Sequence, residues 1–286
     1  MAQPKVTPSR LQKKKRDGDR ITMLTAYDFP MARLIQEAGV DLVLVSDAVG
    51  TVGLGRPEAV SVSLEDMIYH TLAVRNGVDR SMVVTTLPFG TYENPEQAVE
   101  SAVRLVKEGH ADGVHLEGTA EDAGKVSAIV RAGIPVMGHL GITKQKIVRS
   151  GAIRIQGRTA ASAASILEDA LAFARAGVFA LVLECIPQRL AEVITRSLDI
   201  PTIGIGAGAA CNGQALVTQD MLGLFKEFSP RFLKVYVDLS EIIIGSISTF
   251  REEVEQGIFP TSEHSYSIDE DEMEELLTAL DSAFGD

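Results

Sequence analysis

Short apolar runs alternate along this chain with longer stretches whose apolar positions recur at helical spacing. The runs at 21–26, 41–46, 82–87 and 113–116 predict strands, as do 134–139, 180–185, 201–205 and 215–218. Helical periodicity fills 31–38, 63–76, 95–108 and 120–132, and again 160–176, 188–198 and 230–247. Strand–helix alternation of this kind calls for a parallel sheet covered by helices. Eight such units in 286 residues favour closure into a (β/α)8 TIM barrel over an open doubly wound sheet. Gly39, Gly109, Gly133 and Gly177 each end a helical stretch where a left-handed residue is needed. Asn94-Pro95 and Ser63 supply helix starts.

The last stretch has a different pattern. Residues 269–286 are acidic, with an apolar stripe at Met273, Leu276, Leu277, Leu280 and Phe284 that fits an amphipathic helix. Residues 1–262 are therefore read as the barrel domain and 263–286 as an acidic C-terminal tail helix, a candidate to dock on the barrel or on a neighbouring subunit.

Composition narrows the class. The chain is 45% hydrophobic and 23% charged, its apolar fraction mostly aliphatic, as buried parallel strands require. A net charge of -12 argues against a nucleic-acid-binding surface. The one basic cluster, Lys13–Arg16 with Arg10 and Arg20, is expected to be a solvated face of an N-terminal helix. Cys185 and Cys211 imply no disulfide framework. No apolar run reaches the roughly 20 residues that span a bilayer, and no signal-peptide pattern is visible. A cytoplasmic protein is the expectation.

In a barrel, residues just past the strands' C-terminal ends share one mouth. The candidates there are Tyr27 and Asp28, Asp47, Thr85 and Thr86, His115 and Glu117, His139, and Glu184. Asp47, before Ala48-Val49-Gly50, is placed to contact a substrate or to ligate Mg2+, which prefers oxygen ligands; a helix N-cap or salt bridge is the alternative. Glu184 ends an apolar run, and partial burial makes a carboxylate a useful general base; the alternative is a structural Glu paired with Arg158 or His139. Gly204–Gly208 lacks the spacing of a dinucleotide fingerprint and reads as a tight strand-to-loop passage.

The stretches TMLTAYD (22–28), LVSDAVG (44–50), LPFGTY (87–92) and GHLGIT (138–143) resemble 3-methyl-2-oxobutanoate (ketopantoate) hydroxymethyltransferases. So do LVLECIP (181–187), IGIGAG (203–208) and EHSY (263–266). The resemblance implies a barrel of the phosphoenolpyruvate/pyruvate-type superfamily and a role in pantothenate biosynthesis. The implied reaction moves a one-carbon unit from methylenetetrahydrofolate to 2-oxoisovalerate through an enolate. It also implies Mg2+ and a homo-oligomer, in the family a decamer. By position, Asp47 becomes a metal ligand, Glu117 a carboxylate near the metal, His139 a wall of the site and Glu184 the base.

Three positions depart from the family pattern. Ala48 stands where the family carries Ser, Thr86 where it carries a metal-ligating Asp, and His115 where it carries a substrate-binding Lys. A hydroxyl in place of a carboxylate weakens Mg2+ binding, and a neutral imidazole does not replace an ammonium. Two alternatives therefore stand beside the family's own activity. One is a divergent aldol or lyase reaction on another 2-oxo acid, with weak or no metal dependence. The other is a non-catalytic oligomeric binding protein.

Overall fold

The computed structural model describes residues 4–143, 154–227 and 230–284. The chain divides into two compact units, Met1–Tyr236 and Val237–Asp286.

The first unit is a closed barrel of eight parallel strands in sequential order, β1 to β8. They are β1 (Ile21–Thr25), β2 (Leu42–Val45), β3 (Met82–Thr86), β4 (Gly113–Glu117), β5 (Val136–Gly141), β6 (Ala180–Glu184), β7 (Thr202–Ile205) and β8 (Gly213–Leu216). The helices before and between the first strands are α1 (Pro8–Asp17), α2 (Phe29–Glu37), α3 (Val49–Val52), α4 (Leu64–Gly77), α5 (Pro95–Lys107) and α6 (Ala123–Arg131). They continue with α7 (Ala160–Ala176), α8 (Gln188–Ser197) and α9 (Thr218–Met221).

The period of two along each strand sorts side chains into two layers. Met82 and Val84 of β3, Leu42 and Leu44 of β2, and Ala180 and Val182 of β6 pack with Met137 and Ile203 in one interior cluster. Val43, Val83, Val114, Leu116, Leu181 and Leu183 point the other way, into the larger cluster shared with the helices. Extending the inward series upward places Thr86, then His115 and Glu117, then His139, then Glu184 at the mouth.

Helix boundaries follow local chemistry. The Asn94 side chain accepts from the Gln97 amide at 2.9 Å to start α5. Ser63 and Asp66 form a reciprocal capping box at α4. Of the four glycines expected to be left-handed, Gly39, Gly133 and Gly177 have positive φ, whereas Gly109 does not. There His110 takes the left-handed position with φ 57°, and Gly109 is needed for space, since a Cβ would lie 2.8 Å from the Leu105 carbonyl oxygen.

The foot of the barrel corrects the reading of the basic cluster. Helix α1 packs its fully buried Leu11 into the interior cluster. Lys14 Nζ reaches both carboxylate oxygens of Asp41 at 2.7 Å. Lys15 Nζ donates to the carbonyls of Thr195, Leu198 and Ile200 at 3.2, 2.6 and 2.8 Å, at the C-terminal end of α8. Burial pulls the Lys15 ammonium below the usual lysine range. Arg20 donates to the carbonyl of Cys211 at 2.5 Å. Lys14 and Lys15 thus close the foot, whereas Lys13, Arg16 and Arg20 are exposed, as a solvated face requires.

The second unit contains α10 (Leu239–Glu255) and α11 (Glu270–Phe284). Helix α10 begins later than the periodicity at 230–247 implies. The backbone before it makes turns, Leu233 N to Pro230 O at 2.9 Å, and Tyr236 N donates to Met221 O at 2.8 Å. Those donors are thereby taken from a helix. In α11 the apolar stripe Met273, Leu276, Leu277, Leu280 and Phe284 is exposed. Among the described residues no helix is long and apolar enough to cross a membrane.

Candidate active site

The mouth forms a cavity lined by Asp47, Ala48, Thr86, His115, Glu117, His139 and Glu184. All the residues that the sequence singled out at strands two through six, save Thr85, meet there. Asp47 and Glu117 are 3% and 4% exposed, and the Glu184 side chain, at 22%, is the most open of the three carboxylates.

Strand register explains the meeting. Thr86 pairs laterally with His115, Glu117 with His139, and Gly141 with Glu184. Neighbouring inward positions then become hydrogen-bond partners. Thr86 Oγ1 lies 3.0 Å from His115 Nδ1, and His115 Nε2 lies 3.1 Å from His139 Nδ1. The two rings meet edge to face, centroids 5.1 Å apart. His139 Nε2 donates to the Ile142 carbonyl at 2.9 Å and lies 3.3 Å from Glu184 Oε2. Glu184 thus pairs with His139, one of the two partners its sequence context offered.

Backbone geometry brings Glu184 close. Gly141 has φ 104°, and a Cβ there would collide with the Glu184 carbonyl oxygen, so only glycine lets the end of β5 approach β6 this closely. The Ile142 amide donates to that carbonyl at 3.1 Å. The next residue, Cys185, has φ 53°. Its thiol is pushed up to about 12, first by burial and then by the negative charge of Glu184. It is therefore no nucleophile near neutral pH. Both cysteines are free and buried.

Asp47 follows β2 and precedes α3, a helix entered at Ala48 without a side-chain cap. Beside it the Ser46 and Tyr27 hydroxyls are 2.8 Å apart.

Three sequence candidates fall outside the cavity lining: Asp28, Thr85, and Tyr27, whose hydroxyl meets that of Ser46. Asp28 is exposed and caps α2, accepting from the Met31 amide at 2.8 Å. Thr85 faces outward, its hydroxyl 2.9 Å from that of Thr71 in α4. The glycine-rich turn after β7 is a tight passage: Gly206 has φ 66°, and a Cβ there would lie 2.6 Å from the Phe232 ring.

The cavity has a second wall that sequence reasoning missed. Met23 and Leu24 of β1, Ile205 of β7, and Ala215 and Leu216 of β8 make an apolar side opposite the polar residues of β3 to β6. Thr25 and Ser46 complete it. The signal lay in the same period of two that places Thr86 above Met82, because Thr25 stands above Ile21 and Met23.

The family model for ketopantoate hydroxymethyltransferase matches residues 5–262. The chain belongs to the ketopantoate hydroxymethyltransferase family. It is 47% identical over 273 residues to the 3-methyl-2-oxobutanoate hydroxymethyltransferase of Clostridium novyi, covering 95% of this chain and 99% of that one. It is 50% identical over 263 residues to that of Moorella thermoacetica, covering 92% and 98%. The chain is accordingly a transferase of the hydroxymethyltransferase type, and the enzyme name places it in pantothenate biosynthesis. Solved structures match at the level of fold. A phosphonopyruvate hydrolase aligns with TM-score 0.60 at 12% identity over 99% of this chain and all of that one. A 2,3-dimethylmalate lyase of the PEP mutase/isocitrate lyase superfamily aligns with TM-score 0.59 at 14% identity, covering 93% and 90%.

Against this ketopantoate hydroxymethyltransferase background, Thr86 and His115 are seen to be partners. The resemblance implies an anionic Asp and a cationic Lys at these positions. Here a hydroxyl and an imidazole, 3.0 Å apart, stand at the two positions. Among the described residues no group of three or more His, Cys, Asp and Glu is arranged to hold a metal ion. Asp47 and Glu117 are nonetheless of the donor class Mg2+ takes, and this ion commonly binds through one or two carboxylates with waters and substrate completing its shell. The residues fit a substrate-assisted ion better than one held by protein alone.

Proposed function

We propose that this chain transfers a hydroxymethyl unit from methylenetetrahydrofolate to 2-oxoisovalerate, yielding ketopantoate, with Glu184 as the general base. The observation that carries the proposal is the convergence of Asp47, Glu117 and Glu184 on one cavity that has an apolar wall facing them.

The keto acid has a charged carboxylate–carbonyl end and a branched aliphatic end. In this reading the first end lies toward Asp47, Glu117 and the imidazoles, and the isopropyl group lies against the wall of β1, β7 and β8. Glu184 removes the proton from C3, and the electron pair moves into the enolate. His139, 3.3 Å away, orients the carboxylate with its Nε2 proton. C3 then bonds to the folate-borne carbon. Water has first broken both C–N bonds of that carbon, so that tetrahydrofolate leaves and the carbon is at the formaldehyde level; its oxygen becomes the hydroxyl when C3 adds to it. Asp47 and Glu117 would hold Mg2+, which would supply polarisation of the substrate carbonyl. The family resemblance extends the proposal to a cytoplasmic homo-oligomer, decameric as in the family.

The test is product formation. Purified protein with Mg2+, methylenetetrahydrofolate and 2-oxoisovalerate is expected to release ketopantoate, followed by chromatography. No ketopantoate, with intact substrates and folded protein, refutes the assignment. The neutral Thr86–His115 pair favours a second reading, a folate-independent carbon–carbon bond reaction on another 2-oxo acid using the same base. That reading expects C3 proton exchange on such an acid without any folate requirement.

A further inference from the structure

We propose that Thr86 is a positioning residue for Glu184, acting through an ordered hydrogen-bond chain that sets the tautomers of His115 and His139. The inference rests on the reading of Glu184 as the base and names what holds that base in place.

The polarity of the chain follows from what each atom can do. The Ile142 carbonyl 2.9 Å from His139 Nε2 has no proton to give. Glu184 Oε2, 3.3 Å from the same nitrogen, is likewise an acceptor when ionised. His139 Nε2 therefore carries hydrogen. In a neutral His139 the other nitrogen, Nδ1, is bare and must accept. Its neighbour at 3.1 Å is His115 Nε2, which must then donate. That leaves Nδ1 of a neutral His115 bare, and the hydroxyl of Thr86 at 3.0 Å donates to it. Reversing the series would aim the lone pair of His139 Nε2 at the lone pairs of Ile142 O and Glu184.

The Ile142 carbonyl fixes the order from one end, and the Thr86 hydroxyl at the other supplies the hydrogen that the bare His115 Nδ1 needs, so both ends favour the arrangement that presents an N–H to Glu184. Rigidity makes the selection effective. Thr86, His115 and His139 are each no more than 3% exposed, and the near-perpendicular rings, 79° between planes, leave little freedom to slide. Each link sits at an inward position of a strand, where side-chain direction is fixed by the pleat. An aspartate at position 86 would act differently: as an acceptor only, it would draw the His115 proton to Nδ1 and reverse the series.

Thr86→Val keeps the branched shape and removes the donor, while Thr86→Ser keeps the donor. Partners that orient a functional histidine typically matter by roughly 10–100-fold. The expectation for Thr86→Val is a kcat lower by about tenfold or more at little-changed KM, with Thr86→Ser restoring most of it. The direct readout is the 15N spectrum of histidine-labelled protein. In the wild type both His115 and His139 should show the Nε2–H tautomer, and Thr86→Val should disturb both although it touches only one. A wild-type spectrum with His115 as the Nδ1–H tautomer overturns the proposal. So does a folded Thr86→Val protein with unchanged tautomers and unchanged kcat. If instead the tautomers respond as expected while Glu184→Gln retains full turnover, the reading of Glu184 as base fails and the ordered chain stands without its catalytic role.

Discussion

Asp41 and Asp47 bracket strand β2, one at the foot of the barrel and the other at its mouth, and their surroundings differ in kind. Asp41 receives Lys14 on both oxygens at 2.7 Å, the Thr22 amide at 2.9 Å and the Thr22 hydroxyl at 3.1 Å. Asp112, just before β4, receives Lys5, Arg75 at 3.1 Å and the Val83 amide at 3.0 Å. At the foot, cations and amides arrive from distant parts of the chain to tie the barrel shut. At the mouth, Asp47, Glu117 and Glu184 line one shared cavity. A buried carboxylate held by a lysine and an amide serves folding. One that lines a cavity beside an imidazole serves a ligand. The two ends of a barrel strand sort themselves accordingly.

The comparison breaks most readily at the foot. Asp41→Ala strands Lys14 and leaves the Thr22 amide without its acceptor, and removing one partner of a buried pair of this kind costs about 3 kcal/mol. Chemical denaturation should show that loss, with kcat of the surviving folded protein unchanged. The mouth should behave in the opposite way. Asp47→Asn is expected to lower kcat/KM on the order of a hundredfold, measured with saturating Mg2+, while the denaturation midpoint moves little. Equal stability losses in both variants would erase the distinction between the ends.

A pH-dependent case sharpens it. Asp220, in α9 just past β8, has a buried carboxylate oxygen without a hydrogen-bond partner among the described residues. Burial raises its pKa to about 6. The folded protein therefore binds this proton more tightly than the unfolded chain, and stability falls as pH rises from about 4 to about 6. Asp220→Asn should stabilise the protein at pH 7 by at most about 2 kcal/mol and hardly at all at pH 4. A gain that is the same at both pH values would contradict this account of Asp220.

The smallest expected effect concerns Mg2+. Thr86→Asp adds a carboxylate to the mouth and should tighten Mg2+ binding, followed by calorimetry, on the order of tenfold. Wild type binding as tightly as the variant would show that position 86 plays no part in holding the ion.

Much of this architecture was legible in the sequence because buried parallel strands need unbroken aliphatic runs, and runs such as Leu42–Val45 and Ala180–Glu184 have few other uses. The polar side of the mouth was legible for a related reason. Thr86, His115, Glu117, His139 and Glu184 interrupt or end such runs where solvation alone does not call for them. Its apolar side was not, since Met23, Leu24 and Ile205 look like any barrel interior until the closing of β8 against β1 brings them to the same cavity as Glu184. Lys14 and Lys15 were misjudged because a charge run looks the same in solvent or against a barrel. Only the tertiary packing of α1 brings the Asp41 carboxylate and the Leu198 carbonyl within reach. Gly109 shows the same limit, because the space it supplies is set by the Leu105 carbonyl and by the packing of Thr71 against it, which periodicity does not reveal.

The most direct test follows the proton that Glu184 is held to remove. Wild type and Glu184→Gln are placed in D2O with 2-oxoisovalerate and Mg2+, and C3 deuteration is followed by NMR alongside thermal melting of the same samples. Rapid exchange in the wild type, lost by roughly a thousandfold in a variant that melts at nearly the same temperature, is the expected result. A Glu184→Gln protein that exchanges at the wild-type rate, or that loses exchange only because it has unfolded, would contradict the account.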